Sequence, residues 1–220
     1  MVNVLYEDNH CIAVYKHHGV LAQADDEGID SLFEQVKDFI KRRDNKPGNV
    51  FLGLVHRLDR PVGGVMVYAK TSKGASRLSA SMRDHAIKKE YIAVVEGSPK
   101  KQSGSVEHWL LKDHDKNTVS AVRECTPGAK LANLDYHVIK KVKQGTLVEI
   151  IPHTGRPHQI RVAMKSLGCP IVGDTKYGAK QSLGKNIALF ARSMTFPHPT
   201  LKKKITVKAE PELDVFENRK

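Results

Sequence analysis

One carboxylate in this sequence stands where chemistry is possible. Asp59 lies in His56-Arg57-Leu58-Asp59-Arg60, a charged run between apolar Phe51–Val55 and the alternating stretch Val65–Lys70. Arginines flank it at close range. A carboxylate beside cations stays ionised at neutral pH. So much charge at the mouth of a core strand calls for an explanation. The same residues can equally form a structural ion pair that closes a loop. Two later clusters make the first more specific. Lys89-Glu90-Tyr91 opens an apolar stretch, and Thr154-Gly155-Arg156-Pro157-His158-Gln159-Ile160-Arg161 is dense in donors. Pro157 suits a first helical turn, so Arg156, His158, Gln159 and the first-turn amides can face an anion. Arg156 and Arg161 diverge on a helix, so one can turn inward while the other faces solvent or a phosphate.

The surrounding pattern says what positions these groups. Pro61 and Gly63-Gly64 form a tight loop, and Val65–Lys70 reads as a strand sheltered on both faces. Upstream, Val2–Leu5 and Cys11–Lys16 read as strands around the turn Glu7-Asp8-Asn9, with His17-His18-Gly19 a second turn. Ala24–Gly28 is an acidic loop. Asp30 or Ser31 caps a helix, Leu32–Arg43, with Leu32, Val36, Phe39 and Ile40 on one face. Thr71 or Ser72 caps another, about Ser72–His85. Downstream come strands Tyr91–Glu96, Val106–Leu111 paired with Val119–Arg123 across Lys112–Thr118, and Ala132–Val142 paired with Thr146–Ile151 through a turn at Gln144-Gly145. His153–Arg161 comes next, followed by a helix to Leu167, with Gly168 as its cap and Pro170 beyond. Ile187–Ser193 and Ile205–Val207 are further strands, and the tail Asp214–Lys220 is polar. Strands outnumber helices and short turns join neighbours, an α+β pattern with a largely antiparallel sheet. No linker rich in Pro, Gly or Ser interrupts it, which predicts one continuous domain over 1–220.

Composition narrows the partner. Among 220 residues, 36 Lys and Arg face 24 Asp and Glu, a net charge of +12 and a pI near 9.6. That excess favours a polyanion. No apolar run reaches membrane-spanning length, and no basic amphipathic helix with a bulky apolar face competes. The N-terminus carries acids early and lacks an uninterrupted apolar core, unlike a signal peptide. Cys11, Cys125 and Cys169 are scattered and odd in number, which fits reduced thiols in a cytoplasmic protein. There is no P-loop, no G-x-G-x-x-G and no His/Cys cluster at ligand spacing, so neither a cofactor nor a metal is expected.

Gly53-Leu54-Val55-His56-Arg57-Leu58-Asp59 resembles the catalytic motif of the RluA-type RNA pseudouridine synthases. Lys89-Glu90-Tyr91 is similar to that family's second motif, Leu147–Arg161 to its third, and Gly168–Gly178 to the segment that follows. The order is right, and the resemblance runs from about Val4 to Phe196. Departures are Val62-Gly63-Gly64 after the Asp in place of a Thr-Ser-Gly turn, Pro157 for a Thr, and Ala163 for a His. The resemblance implies a pseudouridine synthase fold, a mixed, largely antiparallel sheet with flanking helices and a central RNA-binding cleft. Such a chain is similar to the short, single-domain members, without the separate N-terminal RNA-binding domain.

The resemblance also implies roles. Asp59 is the catalytic carboxylate, Arg161 the arginine that pairs with it, and Tyr91 the site tyrosine, able to stack on the base or to move a proton. Arg57 enters the RNA near the flipped-out nucleotide. His56, Arg60, Lys89, Arg156, His158 and Gln159 contact RNA, and Lys88, Lys73, Arg77 and Lys176 are further phosphate contacts. The reaction cleaves a glycosidic bond, turns the uracil and rejoins it through carbon 5, with no redox change and no cofactor. Flipping follows because the sugar and both faces of the base must be reachable. The expected partner is a stem-loop of 23S ribosomal RNA or tRNA, read by a monomer. Two alternatives share some of these features: a non-catalytic RNA-binding protein that keeps the fold, and a nucleoside or glycoside hydrolase using Asp59. The second needs another carboxylate or an activated water and no such basic surface.

Overall fold

A computed structural model describes residues 2–24 and 30–216. Most of the acidic loop Ala24–Gly28 and the last four residues of the tail lie outside the described residues. In chain order the elements are β1 (Val4–Glu7), β2 (Cys11–Lys16), α1 (Leu32–Arg43), β3 (Gly53–Leu54), β4 (Gly63–Ala69), α2 (Ser72–Arg83), β5 (Lys88–Val95), β6 (Ser103–Asp113), β7 (Thr118–Val122), β8 (Lys130–Val142), β9 (Gly145–Pro152), α3 (Gln159–Ser166), β10 (Leu189–Pro197) and β11 (Lys204–Lys208). They form an α+β fold. The chain divides into two compact units, Met1–Lys88 with Ala191–Glu210, and Lys89–Phe190 with Pro211–Lys220.

In the first unit, β2 pairs antiparallel with β1 and, from Cys11↔Ala69 to Lys16↔Gly64, with β4. β3 pairs with the end of β4, and β10 pairs with β11. Every residue of β2 and β4 is buried, in keeping with runs that are apolar but for the Lys16 that ends β2. Gly64 is the tight point, with φ +128°. A Cβ there would stand 2.3 Å from the Ala191 carbonyl oxygen. Ser31 caps α1 by accepting from the Glu34 amide, and Leu32, Val36 and Ile40 are buried along one face. Each such side chain contributes about 1.5–3 kcal/mol on burial. Arg43, in the last turn, forks onto Glu7 at 2.6 and 2.9 Å. Thr71 caps α2 by accepting from Gly74.

In the second unit, β5, β9, β8, β6 and β7 lie side by side in that order, all antiparallel. α3 packs on β6, β7 and β8. Leu110, Val119, Ala132, Val162 and Tyr177 form a buried cluster there.

Several boundaries differ from the sequence expectation. β1 starts two residues later than Val2 and runs to Glu7. α2 stops at Arg83 because His85 takes φ +54°. The β8–β9 turn is Lys143-Gln144, since Val142 pairs with Gly145. β6 runs on to Asp113, shortening the loop before β7. β10 begins at Leu189 and continues to Pro197, where β11 extends it by pairing. Pro157 is not in a helical turn: His158 is the N-cap, in the left-handed region at φ 51°, and α3 begins only at Gln159. The tail is not uniformly polar, as Val215 and Phe216 are buried in a 3-10 turn.

Candidate active site

The first unit carries Asp59 on a loop pinned at several points. His56 Nε2 accepts the Val67 amide at 3.0 Å, which fixes the loop's start against β4. One ring nitrogen of His56 is thereby committed to the backbone. Leu58 is buried, Asp59 half-buried, and Arg57 and Arg60 exposed. The Val62 amide donates to the Asp59 carbonyl at 3.0 Å, closing the turn at Pro61. Arg60 and Gly19 bond reciprocally. The Gly19 amide donates to the Arg60 carbonyl at 2.9 Å, and Arg60 Nε donates to the Gly19 carbonyl at 3.1 Å.

Beneath this loop lies Lys16, the last residue of β2, with no exposed surface. Its ammonium donates to the carbonyls of Val62 (2.6 Å), Arg60 (3.1 Å) and His17 (3.3 Å). Three donors and three acceptors satisfy each other, so a charge that burial disfavours is held by hydrogen bonds. Burial pulls the Lys16 pKa down to about 7. The negative charge of Asp59 works against that shift, and Arg60 adds to it. In the sequence Lys16 reads as a strand end, and the clue to its burial is a lysine closing an otherwise apolar run.

The second unit carries Tyr91, Lys89 and the Thr154–Arg161 segment. Tyr91 sits half-buried on β5 opposite Ile150 of β9. Lys89, two residues earlier, shares its strand face. Burial lowers the Lys89 pKa, and a Cβ on Gly155 would lie 3.6 Å from its Nζ. Gln159 organises the loop above α3: its Oε1 accepts from Thr154 Oγ1 at 2.7 Å and from the Arg156 amide at 2.8 Å. Arg156 is exposed and Nε anchors to the Leu131 carbonyl at 3.0 Å.

Arg161 turns inward and is 6 % exposed. Its Nε and one Nη meet the two oxygens of Asp174, each at 2.7 Å. Asp174 is 1 % exposed. The guanidinium lies 4.7 Å from the centre of the Tyr177 ring. Tyr177 Oη accepts the Val119 amide at 2.8 Å and bonds His158 Nδ1 at 2.7 Å. No spacing in the sequence singles out Asp174 or Tyr177, although both lie in the Gly168–Gly178 segment.

Other predicted phosphate contacts are partly engaged by backbone. Arg77 donates to the Pro199 carbonyl at 2.7 Å, and Lys176 reaches the carbonyls of Lys116 and Asn117. The fold also gathers Asp8, Cys11 and His198, which no sequence spacing announced. Their donors and acceptors account for one another. Asp8 accepts from the amides of His10 and Cys11 and from Tyr6 Oη. His198 Nδ1 accepts the amides of Thr200 and Leu201, which leaves the proton on Nε2 for Asp8.

The profile of the RNA pseudouridylate synthase family matches residues 10–166, a stretch that includes Lys16, Asp59, Lys89, Tyr91 and Arg161. The chain belongs to the RNA pseudouridylate synthase family. It is similar to a ribosomal large subunit pseudouridine synthase C of Buchnera aphidicola subsp. Acyrthosiphon pisum, 36% identical over 224 residues that cover 98% of this chain and 68% of that one. A protein of the same name from Vibrio parahaemolyticus is 32% identical, covering 90% of this chain and 62% of its own length. The chain thus spans about two thirds of the length of these relatives. Among solved structures, Human RNA Pseudouridylate Synthase Domain Containing 4 shares the fold, with a TM-score of 0.79, 24% identity, and coverage of 95% and 88%. The pseudouridine synthase fold expected from the motifs is therefore the one observed.

Proposed function

We propose that this pseudouridine synthase isomerises uridine within ribosomal large-subunit RNA, with Asp59 as the carboxylate that acts at the sugar or base. The Asp59 loop carries this reading. Its backbone is fixed by the buried ammonium of Lys16 and by His56, so the carboxylate is presented without reorganisation when charge develops. Cleavage at the anomeric carbon builds positive charge on the ribose, which a fixed carboxylate stabilises or captures. The freed uracil turns and bonds through carbon 5, and the proton on that carbon leaves.

Tyr91 is proposed to stack on the target base, and Arg161 to place a fixed positive charge at the reacting nucleotide. Asp174 makes that charge affordable in a buried position. The exposed Arg57 and Arg60 and the Lys89–Arg156–His158 surface are proposed to hold RNA phosphates and the flipped nucleotide. The net charge of +12 supports a polyanionic substrate. The names of the bacterial relatives favour the large ribosomal subunit over tRNA. We also propose a monomer working in the cytoplasm.

The test is tritium release from RNA labelled at carbon 5 of uridine, on 23S ribosomal RNA and bulk tRNA, with Asp59→Ala alongside. Release by the wild type alone, from the ribosomal RNA, is the expected result. The Asp59→Ala protein should still bind RNA within about tenfold, because phosphate contacts dominate affinity. Equal release by the variant removes Asp59 from its role.

A further inference from the structure

Two buried side-chain atoms in the second unit lack a protein partner, and they are of opposite kinds. Asn133 Oδ1 accepts and Gln159 Nε2 donates. The orientation of the Gln159 amide is not free to change. Its oxygen is held by the Arg156 amide and by Thr154 Oγ1, which fixes the nitrogen on the opposite side. Both residues line one recess between β6, β8 and α3, whose other walls include Val106, Leu134, Ala163 and His108. The free space is about 10 Å³, close to the least that admits one water molecule. Apolar cavities stay dry, but a small one with a donor and an acceptor on its wall does not.

We propose that this recess is a hydration site, in which one ordered water accepts from Gln159 Nε2 and donates to Asn133 Oδ1. His108 is the third polar side chain of the wall. The water completes a tie that the backbone begins. The Asn133 amide donates to Thr154 Oγ1 at 3.2 Å, and the His153 amide donates to the Asn133 carbonyl at 3.1 Å. With the water in place, both ends of Gln159 are fixed, one to the Thr154–Arg156 loop and one to β8. Asn133 is thus a positioning residue for the loop that bears Arg156 and His158. Its effect on turnover rests on the RNA reading above, whereas the water itself does not.

The experiment has two arms, each on the full chain. A high-resolution crystal structure, together with water cross-relaxation to the Gln159 side-chain amide in solution, is run without RNA. Wild type and Asn133→Asp, which keeps an acceptor, should both show a long-lived water within hydrogen-bonding distance of both residues. Asn133→Leu, which fills the recess, should show none. A dry recess in the wild type, or direct contact between the two amides, overturns the proposal whether or not the protein is active. In the second arm, tritium release should show KM for RNA raised roughly tenfold in Asn133→Leu and restored in Asn133→Asp, as expected for lost positioning. An unchanged KM in a folded Asn133→Leu protein overturns the positioning role. If Asn133→Leu fails to fold, the wild type and Asn133→Asp still decide the hydration site.

Discussion

Arg161 and Asp174 are both almost inaccessible to solvent. Asp174→Asn keeps the shape but removes the carboxylate charge that meets Nε and one Nη of the buried guanidinium, at an expected cost of about 3–5 kcal/mol in urea unfolding. A loss under about 1 kcal/mol would mean that other groups hold Arg161. Lys16 gives a pH-dependent expectation. Its pKa near 7 in the folded protein is below the value of about 10.4 in an unfolded chain. Between those values the unfolded chain binds more protons, so stability rises with pH across that window. Unfolding at pH 7 and pH 9 should show wild type gaining on Lys16→Met; the reverse slope would refute the burial of a titrating ammonium. Motifs single out Asp59, Tyr91 and Arg161 as candidates, whereas no local signal singles out Lys16, Asp174 or Tyr177. Burial of a lysine is decided by carbonyls contributed from residues 17, 60 and 62, and nothing in the local sequence records that convergence.

Elements with their own capping chemistry were the most readable. Leu32–Arg43 was legible to the residue because Ser31, the apolar spacing and the basic last turn all agree. Strands were read short at their ends, because pairing with a neighbour, and not local propensity, decides where β6, β8 and β10 stop. The start of α3 was misplaced because Pro157 is a good first-turn residue, yet the left-handed His158 postpones the helix by two positions. That geometry serves the Tyr177 contact of His158. Gly64 illustrates an element-scale constraint. Gly64→Ala places a methyl against Ala191 at a positive φ, so folding should fail or the melting temperature fall sharply, as read by circular dichroism. A melting temperature within a few degrees of wild type would show that β4 can shift away from that contact. Thr71→Ala, by contrast, should cost only about 1 kcal/mol through the lost α2 cap.

At the scale of the molecule, the surplus of 12 positive charges should make RNA binding fall steeply with salt, linearly in a logarithmic plot. A flat response between about 50 and 200 mM salt would contradict a phosphate-dominated interface. Fold class was legible from the ratio of strands to helices and the short turns between them. The division into two compact units was not, because no composition change marks residues 88 or 190. That division has a consequence for synthesis. The first unit is discontinuous: its opening 88 residues await Ala191–Glu210, which supply β11 and most of β10. About a hundred residues intervene. At roughly 5–20 residues per second, a ribosome holds the N-terminal half short of those strands for about 5–20 s. The later-encoded unit is thus the first whose main segment can close on itself, and the edge of β4 spends that interval waiting for the strand that will cover it.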